Sequence, residues 1–183
     1  MKDEASEKGG GYESVYLQQI LFEIVKEGYG ELDELVKLLE QGSIFDIANS
    51  QEEGTQKTAL HYACSLGKMQ MVNALLEAGA NALHTDRYGF TALHDAVQNG
   101  QVKAALVVLK YFPVVTFDNV GPLSLIHCAA MNGQTRMLKC LLDRDAGFHE
   151  RNEEGETALH LAAKFDHATC IKMLAKAGAH VDA

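Results

Sequence analysis

Apolar positions in this chain recur with two spacings, one nested inside the other. At short range they follow the three-and-four spacing of an amphipathic helix. Met69, Val72, Leu75 and Leu76 mark one such face, and Leu60, Ala63 and Cys64 mark another just before it. At long range the same faces return every 33 residues: Ala63, Ala96, Ala129 and Ala162 share one phase, and Leu75, Val108, Leu141 and Leu174 share another. Thr58-Ala59-Leu60-His61, Thr91-Ala92-Leu93-His94, Ser124-Leu125-Ile126-His127 and Thr157-Ala158-Leu159-His160 keep the same interval, as do Gly67, Gly100 and Gly133. Several kinds of position held in phase over the copies mark a repeat architecture.

One unit is readable in physical terms. Thr58 is a good N-cap, because its hydroxyl can accept a bond from an orphan amide of the first turn. His61 falls at the third helical position, where a capping box carries Glu or Gln, and its imidazole can reach back toward the cap. The first helix ends at Gly67, where a left-handed conformation costs glycine least. The second helix ends at Gly79. Small alanines at 63, 96, 129 and 162 let consecutive first helices approach closely. Each unit is thus a helical hairpin plus a turn, with an apolar flank that only a stacked neighbour can hide.

The segments T-A-L-H-Y-A-C-S-L-G…L-L-E-A-G-A (58–80) and G-E-T-A-L-H-L-A-A…L-A-K-A-G-A (155–179) resemble the ankyrin repeat family. The resemblance covers about residues 30–183. It implies an all-α fold: an ankyrin-repeat solenoid of stacked helix-turn-helix units with β-hairpin-like finger loops. Three segments follow. Residues 1–11, charged and glycine-rich, are expected to be disordered. Residues 12–43 are expected to form an N-terminal helical cap or degenerate repeat, in which Val15, Leu17, Ile20, Leu21, Ile24 and Val25 build an amphipathic helix. Residues 44–183 hold four repeats, with a C-terminal end that reads as truncated.

Departures from the repeat locate irregularities. Gly42 lies 16 residues before Thr58, against 12 from Gly79 to Thr91, so the first finger carries about four extra residues. Pro122 stands where Gly89 and Gly155 make the turn, which predicts a reshaped finger. Phe112 and Asp145 replace the helix-ending glycine, and Asp166 replaces the inter-helix one.

Composition narrows the setting. The most apolar run, Ala104 to Val115, is interrupted by Lys110 and Pro113 and is too short for a bilayer, so no membrane insertion is expected. Four cysteines without a C-x-x-C pair and no signal-peptide pattern point to a reducing compartment, the cytosol first and the nucleus second. The formal charge of −9 sits entirely in residues 1–53, which hold 4 Lys/Arg and 13 Asp/Glu. No basic stripe exists for phosphates, so nucleic acid is not an expected partner. The acidic end reads first as a solvated terminus and second as a field that steers basic partners.

Candidate chemistry is thin. The four in-phase histidines suggest a metal array, but each belongs to its own repeat, roughly 10 Å from the next. Zinc needs ligand atoms within about 2.0–2.3 Å of one ion, so they do not converge. The resemblance implies that they bond the neighbouring Thr or Ser and the next repeat's backbone, which makes Thr58, His61, Thr91, His94, Ser124, His127, Thr157 and His160 structural. His84, His149, His167 and His180 are expected to be solvated. Cys64, Cys140 and Cys170 share register with packing residues. Cys128 follows His127 on the face expected to be open, and a reactive thiol is the lesser reading there, since no general base adjoins it. Glu153-Glu154 sits in a finger turn without a companion motif. No phosphate loop or nucleophile elbow is present, so neither catalysis nor a cofactor is expected.

The resemblance also implies a concave binding face made of finger tips and the open flank of each first helix. Positions that vary between repeats there are the candidates for partner contact. They are Tyr62, Asp95, Cys128 and Leu161 after each histidine; Leu66, Gln98, Asn99, Met131, Asn132, Lys164 and Phe165 late in each first helix; and Arg87, Tyr88, Phe90, Leu123 and Glu156 in the fingers. Phe90 and Leu123, with Tyr88, Met131 and Phe165, form an apolar patch of the kind enriched at interfaces. The alternative is that some of them tuck against their own finger. The expected function is a non-catalytic scaffold or adaptor that binds a protein or peptide. A regulatory region of a larger enzyme, kinase or channel is second, and a monomer that self-associates weakly through its C-terminal edge is third.

Overall fold

A computed structural model describes residues 9–27, 32–40, 44–111, 123–144 and 146–179. The chain runs through α1 (Gly9–Glu27), α2 (Leu32–Glu40), α3 (Ile44–Ala48), α4 (Ala59–Ser65), α5 (Met69–Glu77) and α6 (Ala92–Gln98). It continues through α7 (Val102–Tyr111), α8 (Leu125–Met131), α9 (Thr135–Leu142), α10 (Ala158–Lys164) and α11 (Ala168–Ala177). Two layers result. The inner helices α4, α6, α8 and α10 stack in order, and the outer helices α5, α7, α9 and α11 stack in order behind them. The first two fingers are held by single antiparallel bridges, Gln51 with Thr58 and Thr85 with Thr91.

Ala63, Ala96, Ala129 and Ala162 are fully buried, as the close approach of successive inner helices requires. Leu75, Val108, Leu141 and Leu174 are buried at the other end of each hairpin. α1 packs on α4 and α2 on α5, with Leu21, Val25 and Leu35 inaccessible to solvent. This pair occupies the place of a preceding repeat.

Gly67, Gly100 and Gly133 lie in the left-handed region with φ of 68°, 66° and 64°, and Asp166 takes the same conformation at 59°. Asp is among the few non-glycine residues that adopt it readily. A Cβ on Gly100 would also collide with the Gln134 side-chain amide. That proximity reveals a tie the repeat pattern does not announce. After Gly67, Gly133 and Asp166 the next residue reaches back to the preceding layer: Lys68 Nζ donates to the Val25 carbonyl (2.8 Å), Gln134 Nε2 to that of Gln98 (2.9 Å) and His167 Nε2 to that of Met131 (2.9 Å).

Several expectations need correcting. His167 is half-buried in that inter-repeat tie and is not solvated. His84 is also half-buried, its Nδ1 enclosed and without a hydrogen-bond partner among the described residues. His149 is exposed, with its ring 4.1 Å from that of Phe148. α1 starts at Gly9, so the glycines at 9–11 begin a helix, whereas residues 1–8 lie outside the described residues. The extra residues of the first finger form α3, which buries Ile47 and Ala48. Asn49 then pins it to the next hairpin, donating to the Gly79 carbonyl (3.0 Å) and accepting from the Asn81 amide (2.6 Å). The positions Phe112, Pro122, Asp145 and His180 lie outside the described residues.

Candidate partner-binding face

The face is built on a ladder of imidazoles. Thr58 caps α4 in extended conformation, and its amide N–H donates to His61 Nδ1 (3.1 Å) while its Oγ1 lies 2.9 Å from the same nitrogen. With Nδ1 accepting, the proton sits on Nε2, which donates to the Phe90 carbonyl of the next finger (3.1 Å). The arrangement recurs. His94 Nδ1 meets Thr91 (2.9 Å) and Nε2 meets the Leu123 carbonyl (2.9 Å). His127 Nδ1 meets Ser124 (2.6 Å) and Nε2 meets the Glu156 carbonyl (3.2 Å). His160 Nδ1 meets Thr157 (2.7 Å). Each imidazole therefore ties its own cap, and the first three also fix the next finger. Burial lowers His61 to about 4 and His94 to about 4, against the opposing pull of the carbonyls they donate to. Both are neutral at physiological pH.

Directly after each histidine the structure departs from expectation. Only Tyr62 keeps partial exposure; Asp95, Cys128 and Leu161 are buried. The fingers fold over this row. Lys57, from the finger before α4, lies on Asp95 with Nζ 2.7 and 2.9 Å from its two oxygens. Burial raises the Asp95 pKa and the Lys57 bonds oppose it. Cys128 has no exposed surface, and burial pushes its thiol up to about 12; Cys64 is raised further by the same cause. The thiolate needed for nucleophilic chemistry is absent from both at neutral pH. Asp95, Cys128 and Leu161 are therefore not surfaces a partner meets directly.

The open positions lie one turn later and at the finger tips. Leu66, Asn99, Asn132 and Phe165, which hold equivalent places at the ends of the four inner helices, are all exposed; Gln98 and Met131 are half-buried, and Lys164 is exposed. Asn99 and Asn132 spend their amides on the Asp95 and Cys128 carbonyls (2.8 and 2.9 Å), which leaves Leu66 and Phe165 as the apolar ends of the row. Two fingers share one tip design. Asp86 Oδ1 accepts from the Tyr88 and Phe90 amides, and Asn152 Oδ1 accepts from the Glu154 and Glu156 amides. These turns push Arg87 and Tyr88 outward on one finger and Glu153 and Glu154 outward on the other. Phe90 turns inward, its ring 5.4 Å from that of His94, and Leu123 also packs partly on the core. The expected Phe90–Leu123 patch is thus split, with Tyr88 on one side and Met131 with Phe165 on the other.

Two clefts border this face. One, of about 270 Å³, lies between the last finger and the inner helices, with Leu123, Met131, Leu161 and Phe165 beside Glu153, Glu154, Glu156 and Lys164. The other, of about 700 Å³, separates α1 from the first finger and is lined by Phe22, Glu23, Lys26, Glu52 and Glu53, among others. At its inner wall Lys26 pairs with Glu52, and its Nζ sits 4.3 Å from the Tyr62 ring centroid. The Phe22 and Tyr62 rings meet edge to face at 6.1 Å. Burial pushes the Glu52 carboxyl up, but hydrogen bonds from Lys26, Tyr62 and Thr55 outweigh it and hold the group at about 2. No spacing in the sequence signals this cluster, because it joins α1 to a finger 26 residues away.

The family described as ankyrin repeats (3 copies) matches residues 21–119 and 115–183. The chain belongs to the ankyrin repeat family. Among ankyrin-containing relatives, human Transient receptor potential cation channel subfamily A member 1 is 32% identical over 172 residues, which covers 88% of this chain and 15% of that protein. Human SH3 and multiple ankyrin repeat domains protein 2 is 31% identical over 118 residues, covering 64% of this chain and 6% of that protein. Mouse Neurogenic locus notch homolog protein 1 is 30% identical over 138 residues, covering 73% of this chain and 5% of that protein. The chain thus spans a small share of each relative's length, and ankyrin repeats as a fold are protein-interaction modules. Among the described residues, no helix is long and apolar enough to cross a membrane.

Proposed function

We propose that this chain is a non-catalytic ankyrin scaffold or adaptor of the cytosol that binds a partner protein or peptide on its concave face. The observation that carries this reading is the division of labour along the inner helices. Residues in the fixed positions, such as His94 and Ala96, are buried and hydrogen-bonded or packed, whereas the varied row of Leu66, Asn99, Asn132 and Phe165 is open to solvent. Fold alone does not choose a function, so the surface must. Leu66, Tyr88 and Phe165 are 47%, 67% and 47% exposed, and large apolar side chains held open on a rigid frame are the usual anchors of an interface. The catalytic alternative lacks a nucleophile at Cys64 or Cys128, where burial raises both thiols.

The test is affinity capture with the intact chain and with Leu66→Ser, Tyr88→Ser and Phe165→Ser combined. The expected result is loss of the captured partner while circular dichroism remains native. Capture that is unchanged by the triple substitution refutes the concave-face reading. A second reading, a regulatory ankyrin region within a larger enzyme, kinase or channel, is favoured by the small share of each relative that the chain spans. It predicts that the same surface contacts another part of one polypeptide, which cross-linking of the full-length protein would show.

A further inference from the structure

The cleft beside the last finger combines three properties that select one kind of occupant. Its volume of about 270 Å³ falls just below the ~300–1,000 Å³ typical of pockets for drug-sized ligands, so it fits one large side chain more naturally than a small molecule. Its apolar surface comes from Leu123, Met131 and Phe165, and Phe165 is held open at the end of α10. Its acidic side comes from the last finger. Glu153 and Glu154 are turned outward by the Asn152 turn, and Glu153 carries no ion pair among the described residues.

The two local cations, Arg151 and Lys164, offset only part of the charge of Glu153, Glu154 and Glu156. Arg151 Nη1 donates to the Gly155 carbonyl at 2.6 Å. Lys164 lies 2.9 Å from Glu156 and 3.8 Å from Glu154, but its side chain is 51% exposed and that of Glu154 is 72% exposed. Such surface pairs are worth little and yield readily to a competing cation. The cleft therefore offers an apolar seat next to carboxylates whose one paired cation among the described residues, Lys164, can be displaced.

Resting on the concave-face reading above, we propose that this cleft binds a peptide segment that seats a Leu-, Met- or Phe-sized side chain on Leu123, Met131 and Phe165. A neighbouring lysine or arginine of the peptide lies against Glu153 and Glu154. Specificity comes from the pairing. The apolar side chain supplies desolvated contact, and the carboxylates reject acidic sequences that would otherwise fit the same seat. Binding weakens as salt is raised, because the ion pairs lie at an exposed rim.

Peptides selected from a random display library against the intact chain test the proposal, followed by fluorescence polarisation of the enriched sequences. The expected result is enrichment of a large apolar residue beside lysine or arginine. Affinity should fall about tenfold with Phe165→Ala, the usual scale for truncating an anchor, and severalfold with Glu153→Lys and Glu154→Lys combined. Both finger positions are exposed, so those variants fold. Selected peptides that ignore these substitutions but lose affinity with Leu66→Ala and Tyr88→Ala overturn the cleft proposal and leave the concave face standing. Peptides insensitive to both sets, or enrichment of acidic sequences at the cleft, overturn it as well, and the first of these outcomes also removes the concave-face reading.

Discussion

Acidification should destabilise this stack through two buried imidazoles before carboxylates contribute. His61 and His94 are each lowered from 6.5 to about 4 in the folded chain by burial. In the unfolded chain they return to the ordinary value. Between these limits the unfolded state binds more protons, so stability is complete above about pH 6.5 and falls as pH drops toward 4. The full displacement corresponds to about 3 kcal/mol for each histidine, and at about pH 5 roughly 2 kcal/mol of each has already gone. The pair therefore removes about 4 kcal/mol between about pH 7 and pH 5, a large part of the 5–15 kcal/mol typical of a domain. Urea denaturation across that range gives the slope. His94→Gln isolates the cause, because Gln is a usual capping-box residue at this position and still offers both a donor and an acceptor. Whatever its absolute stability, the variant should lose about 1 kcal/mol of stability per pH unit less than the parent between about pH 6 and pH 4.5. Equal slopes for parent and variant would refute the assignment of neutral, buried imidazoles.

Three further outcomes follow from other parts of the structure. Lys57→Met strands the Asp95 carboxylate under the finger and should cost about 3 kcal/mol in chemical denaturation, the scale for removing one partner of a buried pair; adding Asp95→Asn should recover much of that loss. Ala96→Leu forces a larger side chain into a fully buried contact between inner helices and should lower stability by about 1–3 kcal/mol, measured in the same way. A thiol reagent at neutral pH should label half-buried Cys140 first and leave Cys64 and Cys128 untouched until unfolding; rapid labelling of Cys128 in the native chain would contradict its burial.

How much of this was legible in sequence depends on whether a feature repeats. The ladder from Thr58 to His160 was readable because cap, imidazole and small alanine return together, and the structure places the first three imidazoles between their own cap and the next finger. Asp166 reads in sequence only as a departure from the repeat, yet it keeps the left-handed turn of the glycines it replaces. The extra residues before Thr58 were countable, but their folding into α3 was not, since five residues carry too little periodicity to declare a helix. Exposure was the harder quantity. Asp95, Cys128 and Leu161 hold the same place as Tyr62, but whether a finger roofs that place depends on the particular side chain above it, as Lys57 does over Asp95. The back-reaching side chains Lys68, Gln134 and His167 share a register but not a chemistry, so no motif announces them. The Phe22–Lys26–Glu52–Tyr62 cluster joins an element outside the repeat period to one inside it, where periodicity carries no information.

Under the proposed function, partners meet the inner row and not the outer helices. Photo-cross-linking separates the two sides, with a benzophenone amino acid placed at Phe165 on the inner side or at Lys172 on α11, both exposed. A cross-linked partner is expected from position 165 and none from position 172. Cross-linking from 172 alone would place the partner on the outer helices and refute the concave-face reading.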